Sequence, residues 1–550
     1  MISNEKEAAC FSWLQSVARG HLLLLTGLAL CCLIPFIGKA FNIDDTLFVW
    51  CGKQIQLHPF NPYGFFINWY GAPSPMSVVM RNPPLTPYFI ALVGSLAGWS
   101  EAALHSAFLL PMIASVLGMY ALAKQWCNNP LLATLIGFTT PAFFVSSTTV
   151  MCDVMMLAFE IWAFVFWVRA HEEKKFPYFL LSSVLLTACV LTKFSGLTIL
   201  PLLIVYSCIR ERKLIVSNLY LLIPLVGLAI YMAAISSMYG EGSIIEGLVL
   251  ATSAGGSKPF EWARVVVGLS FLGGCFFPVL IFSPLLWSRK IVVGGFIVMA
   301  VLMIEVIMGR LLSNVVLQHM AMVNPILGSQ LLVFSAGGIF LLALAIKEII
   351  RYRDASSVTL GLLVLGTTVF AIFFSWAVAA RYFLPLTPAV GIMIVRAIDQ
   401  SAKKTWGYLL LIPSAALAIT VASADYSLAN SAKNAAQEIT SKYQQRNKPL
   451  WFQGHWGFQY YMELNGAKPL NVQYPEIRSG EILIIPLNND IRSINADLMK
   501  VQEKLDYPVA SYAATMSKPD GAGFYANAWG PFPFVFGNVA QETYYVLLAQ

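Results

Sequence analysis

The chain has 550 residues, 58% of them hydrophobic and only 11% charged, where a soluble domain carries roughly 25% charged residues. That balance excludes a soluble globular protein and makes the chain a polytopic membrane protein. The net charge of +7 lies in the hydrophobic part, because the residues from Asp425 onward carry ten Lys/Arg and eleven Asp/Glu. The charge therefore bears on topology and lipid phosphate, not on nucleic acid.

A bilayer core needs about 20 apolar residues per helix. Apolar runs predict spans near 20–38, 102–123, 129–149, 154–168, 177–192, 195–209, 214–238, 265–287, 291–309, 325–346, 357–376, 382–397 and 406–423, about thirteen in all. The first is read as a retained helix, because an acidic pair and many further spans follow it. Residues 84–98 open with Pro83-Pro84, contain Pro87 and are short, which predicts a helix lying in the membrane interface.

The positive-inside rule sets the orientation. With the N-terminus cytoplasmic, seventeen Lys/Arg fall on the inner side and eight on the outer side before the tail. The long first loop, 39–101, is then extracytoplasmic, as are a loop near 239–264 and the tail. The expected location is the cell inner (plasma) membrane, with a transmembrane domain over 1–423. Residues 424–550 turn polar and alternate helix-like stretches (430–445, 456–465) with strand-like ones (449–452, 481–486, 544–548). That alternation predicts a small extracytoplasmic α/β domain. Nine cysteines are present and none follows Cys275, so the tail has no disulfide framework.

Ionised side chains are costly at membrane depth, so the few near span ends are candidates for function. Asp44 and Asp45 adjoin the end of the first span. A carboxylate there can take a proton from an attacking hydroxyl, and a neighbouring acid can tune it; equally, an acid ahead of Thr46-Leu47-Phe48 is good helix-capping chemistry. Asp153 sits where a span re-enters the membrane, again as acid or cap. Lys193, in a tight turn within a long uncharged stretch, is either a snorkelling lysine or a point charge for phosphate. Arg81 and Arg381 each read as a phosphate ligand or as a headgroup anchor. Gly454-His455-Trp456-Gly457-Phe458-Gln459-Tyr460-Tyr461 could stack on sugars or form a domain core. No metal-ligand spacing, dinucleotide fingerprint or Asp-x-Asp nucleotide-sugar motif occurs. No cofactor is expected, and a divalent metal is left open.

Phe41-Asn42-Ile43-Asp44-Asp45, Asn82-Pro83-Pro84-Leu85, Asp153, Lys193 with Gly196, and Ala380-Arg381-Tyr382-Phe383-Leu384-Pro385 follow one another in an order that resembles the GT-C glycosyltransferases of the dolichyl-phosphate-mannose protein mannosyltransferase superfamily. The likeness is closest to its bacterial branch, which includes the lipid A aminoarabinose transferases. It covers residues 20–400. It implies a GT-C fold, interfacial helices in the first outer loop, a polyprenyl-phosphate sugar donor and a lipid, glycan or protein acceptor. Carried over, Asp44 is the base, Asp45 stands where the family usually has Glu, and Asp153 is a second acid. Lys193, Arg81 and Arg381 fall to the donor phosphate. One departure is visible: many members have Lys directly before Pro-Pro, where this chain has Asn82 preceded by Arg81. A transporter or lipid flippase using the same acids as ion sites is the rival reading.

Overall fold

The computed structural model describes residues 19–213, 216–240, 262–308, 324–399, 406–444, 448–489 and 499–550. Most of the loop expected over 239–264 lies outside the described residues. Eight described helices are long and apolar enough to cross a membrane: Arg19–Phe36, Glu101–Trp126, Phe194–Glu211, Val216–Tyr239, Pro325–Tyr352, Ala355–Phe374, Ala380–Ile398 and Trp406–Tyr443. The other expected spans are helical but shorter, more charged or broken. The run 129–149 divides into Pro130–Phe138 and Pro141–Ser146. Pro141 has no amide hydrogen to continue the first helix and is suited to begin a second. The Thr139 and Thr140 hydroxyls donate to the Leu135 and Gly137 carbonyls, which also accept from the backbone amides of the same two threonines. Likewise Pro278 and Pro284 begin the pieces Pro278–Ile281 and Ser283–Leu286 that follow Trp262–Cys275.

Small residues let the helices approach closely, as membrane packing favours. A Cβ on Gly273 would lie 1.8 Å from the carbonyl oxygen of Phe334, so the helices Trp262–Cys275 and Pro325–Tyr352 meet backbone to backbone there. At the end of the bundle formed by Trp126, Glu211 and Tyr352, basic residues gather. Lys174 pairs with Glu211 at 2.5 Å, and Arg396 pairs with Glu348 and donates to the Trp126 carbonyl at 2.8 Å.

The first loop covers the other end. Helix Asp45–Leu57 packs on helix Leu85–Ala97, which corresponds to the interfacial helix expected over 84–98. A two-stranded hairpin, Phe66–Asn68 with Pro73–Pro75, and the short helix Met76–Val79 lie between them.

The span expected over 406–423 and the helix expected over 430–445 are parts of one 33-residue helix, Leu411–Tyr443, which runs unbroken across position 424. Beyond it stands a five-stranded mixed sheet in the order Lys468–Pro469, Leu450–Phe452, Ile482–Pro486, Glu542–Ala549, Met499–Tyr507. Leu450–Phe452 runs parallel to both its neighbours, whereas Glu542–Ala549 is antiparallel to Ile482–Pro486 and to Met499–Tyr507. The edge strand Met499–Tyr507 is nowhere anticipated by the sequence reading. Its Lys-Val-Gln-Glu-Lys-Leu-Asp run is largely solvated, as suits an edge.

The tail and the first loop share one hydrophobic core. Helix Trp456–Leu464 presses on the loop so tightly that a Cβ on Gly457 would meet the Phe41 carbonyl oxygen at 2.1 Å. The Tyr461 hydroxyl accepts from the Phe41 amide at 2.9 Å and donates to Glu101 at 2.8 Å. Beneath this contact lies a fully buried ion pair, Lys39 Nζ to Asp425 Oδ2 at 2.5 Å. Lys39 also donates to Thr148 Oγ1 at 3.1 Å, and Asp425 accepts from Thr515 at 2.7 Å and Tyr525 at 2.9 Å. Breaking such a pair on one side leaves an uncompensated buried charge, at a cost of about 3–5 kcal/mol. Lys39→Ala should therefore lower thermal stability in detergent sharply, and Lys39→Met combined with Asp425→Leu should recover part of the loss. Equal melting curves for Lys39→Ala and the unaltered protein would refute this role.

Candidate active site

Ile43 has φ +49, a left-handed conformation that a β-branched residue rarely adopts. This strained turn sends the two adjacent acids in different directions. Asp44 occupies the N-cap position of helix Asp45–Leu57 but makes no side-chain cap bond. Its Oδ2 instead accepts from Arg381 Nη1 at 2.5 Å. Asp45 is fully buried: Oδ2 accepts from the Asn42 amide at 3.1 Å and Oδ1 from the Val150 amide at 2.9 Å. It pins the first loop to the turn before helix Cys152–Glu173. Burial, which outweighs the nearby Lys39 and the two amide bonds, pushes its carboxyl up to about 7.

Arg381 enters from a break in the helical chain. Ser375 to Ala379 is non-helical, and the Arg264 guanidinium braces the carbonyls of Ile372 and Ser375 there. The Ala380 amide then donates to the Phe524 carbonyl of the tail at 2.8 Å, which fixes the start of Ala380–Phe383. Arg381 Nε is buried with no hydrogen-bond partner. Asp153 stands in the first turn of Cys152–Glu173, and Lys193 at the end of Phe176–Thr192. They pair at 2.5 Å, with Lys193 Nζ 5.1 Å from the centre of the Tyr382 ring.

One cavity of about 630 Å³ joins these groups, within the size range of small-molecule sites. Asp44, Arg81, Lys193 and Arg381 all line it, and Asp153 reaches it through Lys193. Asp45 does not line it. Its roof comes from the tail: His455, Trp456, Met516, Lys518, Tyr525 and Trp529, with Trp69 and Tyr70 of the first loop beside them. The motif 454–461 thus divides. Phe458 and Tyr461 are core, His455 lines the cavity, and Trp456 does both. Trp529, Lys518 and Tyr525 carry no motif, and only their aromatic and basic character in a Gly-rich stretch could have flagged them. Among the described residues no group of three or more His, Cys, Asp or Glu side chains is arranged to hold a metal.

Residues 81–236 match the family model for dolichyl-phosphate-mannose-protein mannosyltransferases. The chain is a membrane glycosyltransferase, and the family match itself spans under a third of its length. The matched segment of this glycosyltransferase includes Arg81, Asp153 and Lys193, whereas Asp44 and Arg381 lie outside it. A search of curated proteins finds no match. Among solved structures the glycosyltransferase is similar to ArnT from Cupriavidus metallidurans bound to undecaprenyl phosphate, with 13% identity, TM-score 0.45, and coverage of 86% of this chain and 94% of that one. It is similar also to the oligosaccharyltransferase AglB from Archaeoglobus fulgidus in complex with an inhibitory peptide and a dolichol-phosphate, at 11% identity and TM-score 0.47, covering 82% and 64%. A third is the arabinofuranosyltransferase AftD from Mycobacteria, at 9% identity and TM-score 0.38, covering 96% and 40%.

The Asp45 environment has a consequence for pH. A carboxyl whose pKa rises from 3.8 to about 7 on folding binds its proton more tightly in the folded state. Its contribution is then greatest at low pH and is lost as pH rises through that window. Asp45→Asn should flatten this part of the stability profile between about pH 4 and 7, read by thermal unfolding in detergent. An unchanged slope would show that Asp45 does not titrate there.

Proposed function

We propose that this glycosyltransferase moves a sugar from a polyprenyl-phosphate-linked donor to an acceptor on the extracytoplasmic face, by a single inverting displacement. The observation that carries the proposal is one cavity that a carboxylate, Asp44, lines together with the cationic side chains Arg81, Lys193 and Arg381 and, from the roof, Lys518. The name of the family matched over 81–236 supports a lipid-phosphate sugar as donor.

In this reading the acceptor oxygen or nitrogen bonds to the anomeric carbon as the bond from that carbon to the phosphate oxygen breaks. The electron pair leaves with polyprenyl phosphate, and the acceptor's proton passes to Asp44. The cations stabilise the charge that gathers on the departing phosphate. Arg381 has an unused Nε donor for it, and its Nη1 can exchange from Asp44 to a phosphate oxygen, which frees Asp44 Oδ2 for the proton. Asp153 holds Lys193 at the cavity wall, and Asp45 supports by holding the loop rather than by touching substrate. The acceptor is a lipid, a glycan or a protein.

The excess of basic residues at the end of the bundle opposite the cavity supports a cytoplasmic position for that end, in an inner (plasma) membrane, and an extracytoplasmic one for the tail. The transporter reading is not favoured. Asp44 and Asp153 are each held in an ion pair with a cation at the same end of the bundle.

Asp44→Asn should leave the protein folded in detergent and lower transfer by about 10²–10⁴-fold. Mass spectrometry of lipids and glycans from cells making either form reads this out, and near-normal turnover by the purified variant would remove Asp44 as base. Arg81→Ala, at an exposed position, should weaken binding of undecaprenyl phosphate in native mass spectrometry.

A further inference from the structure

The roof of the cavity is the edge of the hydrophobic core, to which Trp69 and Trp456 belong and against which Trp529 packs. Trp456 has φ +63, directly after Gly454 at φ +98 and His455. A bulky residue held in the left-handed region costs energy, and such strain concentrates where a side chain must be displayed. The ring centres of Trp456 and Trp529 are 4.7 Å apart, those of His455 and Trp456 also 4.7 Å, and those of His455 and Trp69 5.1 Å. Trp529 is only half-buried and is oriented by its indole N–H, which donates to the Asn488 carbonyl at 2.9 Å.

His455 is 9% exposed and lines the cavity, with the Asn489 side chain interacting with its ring. Burial, with Lys518 nearby, pushes the imidazole down to about 3. The ring is therefore neutral and can donate from one nitrogen while it accepts at the other.

We propose that Trp69, His455, Trp456 and Trp529 form the acceptor subsite and that its occupant is a pyranose ring, so that the acceptor is a glycan. This inference rests on the transferase reading above. A pyranose has an apolar face of C–H bonds that lies against aromatic rings, and hydroxyls at its edge that pair with a neutral imidazole. Inverting displacement puts the acceptor on the side of the anomeric carbon opposite the leaving phosphate. The phosphate ligands lie at the membrane helices, Lys193 and Arg381 among them, while the aromatic cluster belongs chiefly to the tail. Donor phosphate, transferred sugar and acceptor ring thus stack in that order from helices to roof.

The test uses the full chain in detergent with two probes. Methyl glycosides of mannose, glucose, galactose and N-acetylglucosamine are followed by saturation-transfer NMR, and undecaprenyl phosphate by native mass spectrometry. At least one glycoside should bind the unaltered protein. Trp529→Ala and His455→Ala should weaken it by about tenfold or more, Trp529→Phe should largely restore it, and all three should hold undecaprenyl phosphate as before. Arg81→Ala should show the reverse pattern. Retained lipid-phosphate binding with no glycoside bound, or with glycoside binding unmoved by Trp529→Ala and His455→Ala, overturns the subsite while the donor reading stands. Failure of the unaltered protein to bind undecaprenyl phosphate overturns the donor reading and the acceptor assignment with it.

Discussion

Lys39 and Asp425 are both wholly removed from water. Two charges in that state are tolerable only when they neutralise each other and their remaining donors and acceptors are filled. Each requirement here recruits a different part of the chain. Lys39 belongs to the start of the first loop and Asp425 to the long helix leading into the tail. Thr148 comes from the turn before helix Cys152–Glu173, and Thr515 and Tyr525 come from the tail itself. Four segments therefore converge on one point just behind the acidic pair. Asp45 lies in the field of the same pair and ties its loop to Val150, so the place from which Asp44 projects is set by electrostatics in a dry interior.

The cavity inherits its chemistry from that frame. Two carboxylates and two cations come in pairs, Asp44 with Arg381 and Asp153 with Lys193, and Arg81 adds one more positive charge. Paired charges are less costly to keep at a membrane surface than isolated ones. With Lys518 in the roof as well, the site keeps a positive balance. The strain at Ile43 fits the same logic, because it is the turn that separates the two neighbouring acids into a cavity-facing one and a structural one.

Much of this was legible in the sequence because it rests on local properties. Apolar runs predict spans, and charges standing alone near their ends predict the site. Asp44, Arg81, Lys193 and Arg381 do line one cavity, with Asp153 behind Lys193. What was not legible depends on long-range partners. Lys39 and Asp425 are 386 positions apart, and nothing in Gly38-Lys39-Ala40 shows that its lysine is buried. The different fates of Asp44 and Asp45 follow from a backbone angle at Ile43 that residue type alone would argue against. The change from apolar to polar composition near 424 is real, but it is a change in what surrounds one helix, not the end of it. Trp529 and Lys518 acquire their place only when the tail folds back over the first loop.

The 33-residue helix Leu411–Tyr443 spans about 50 Å at 1.5 Å per residue. It rises from the apolar bundle past the ion pair and on to the sheet, without a hinge. Floor and roof of the cavity are in this sense mounted on a single mast. Helix tilt, which bilayer thickness helps to set, would swing both together and leave the gap between them unchanged. In this geometry a single element of secondary structure joins the part of the chain in the membrane to the sheet above it.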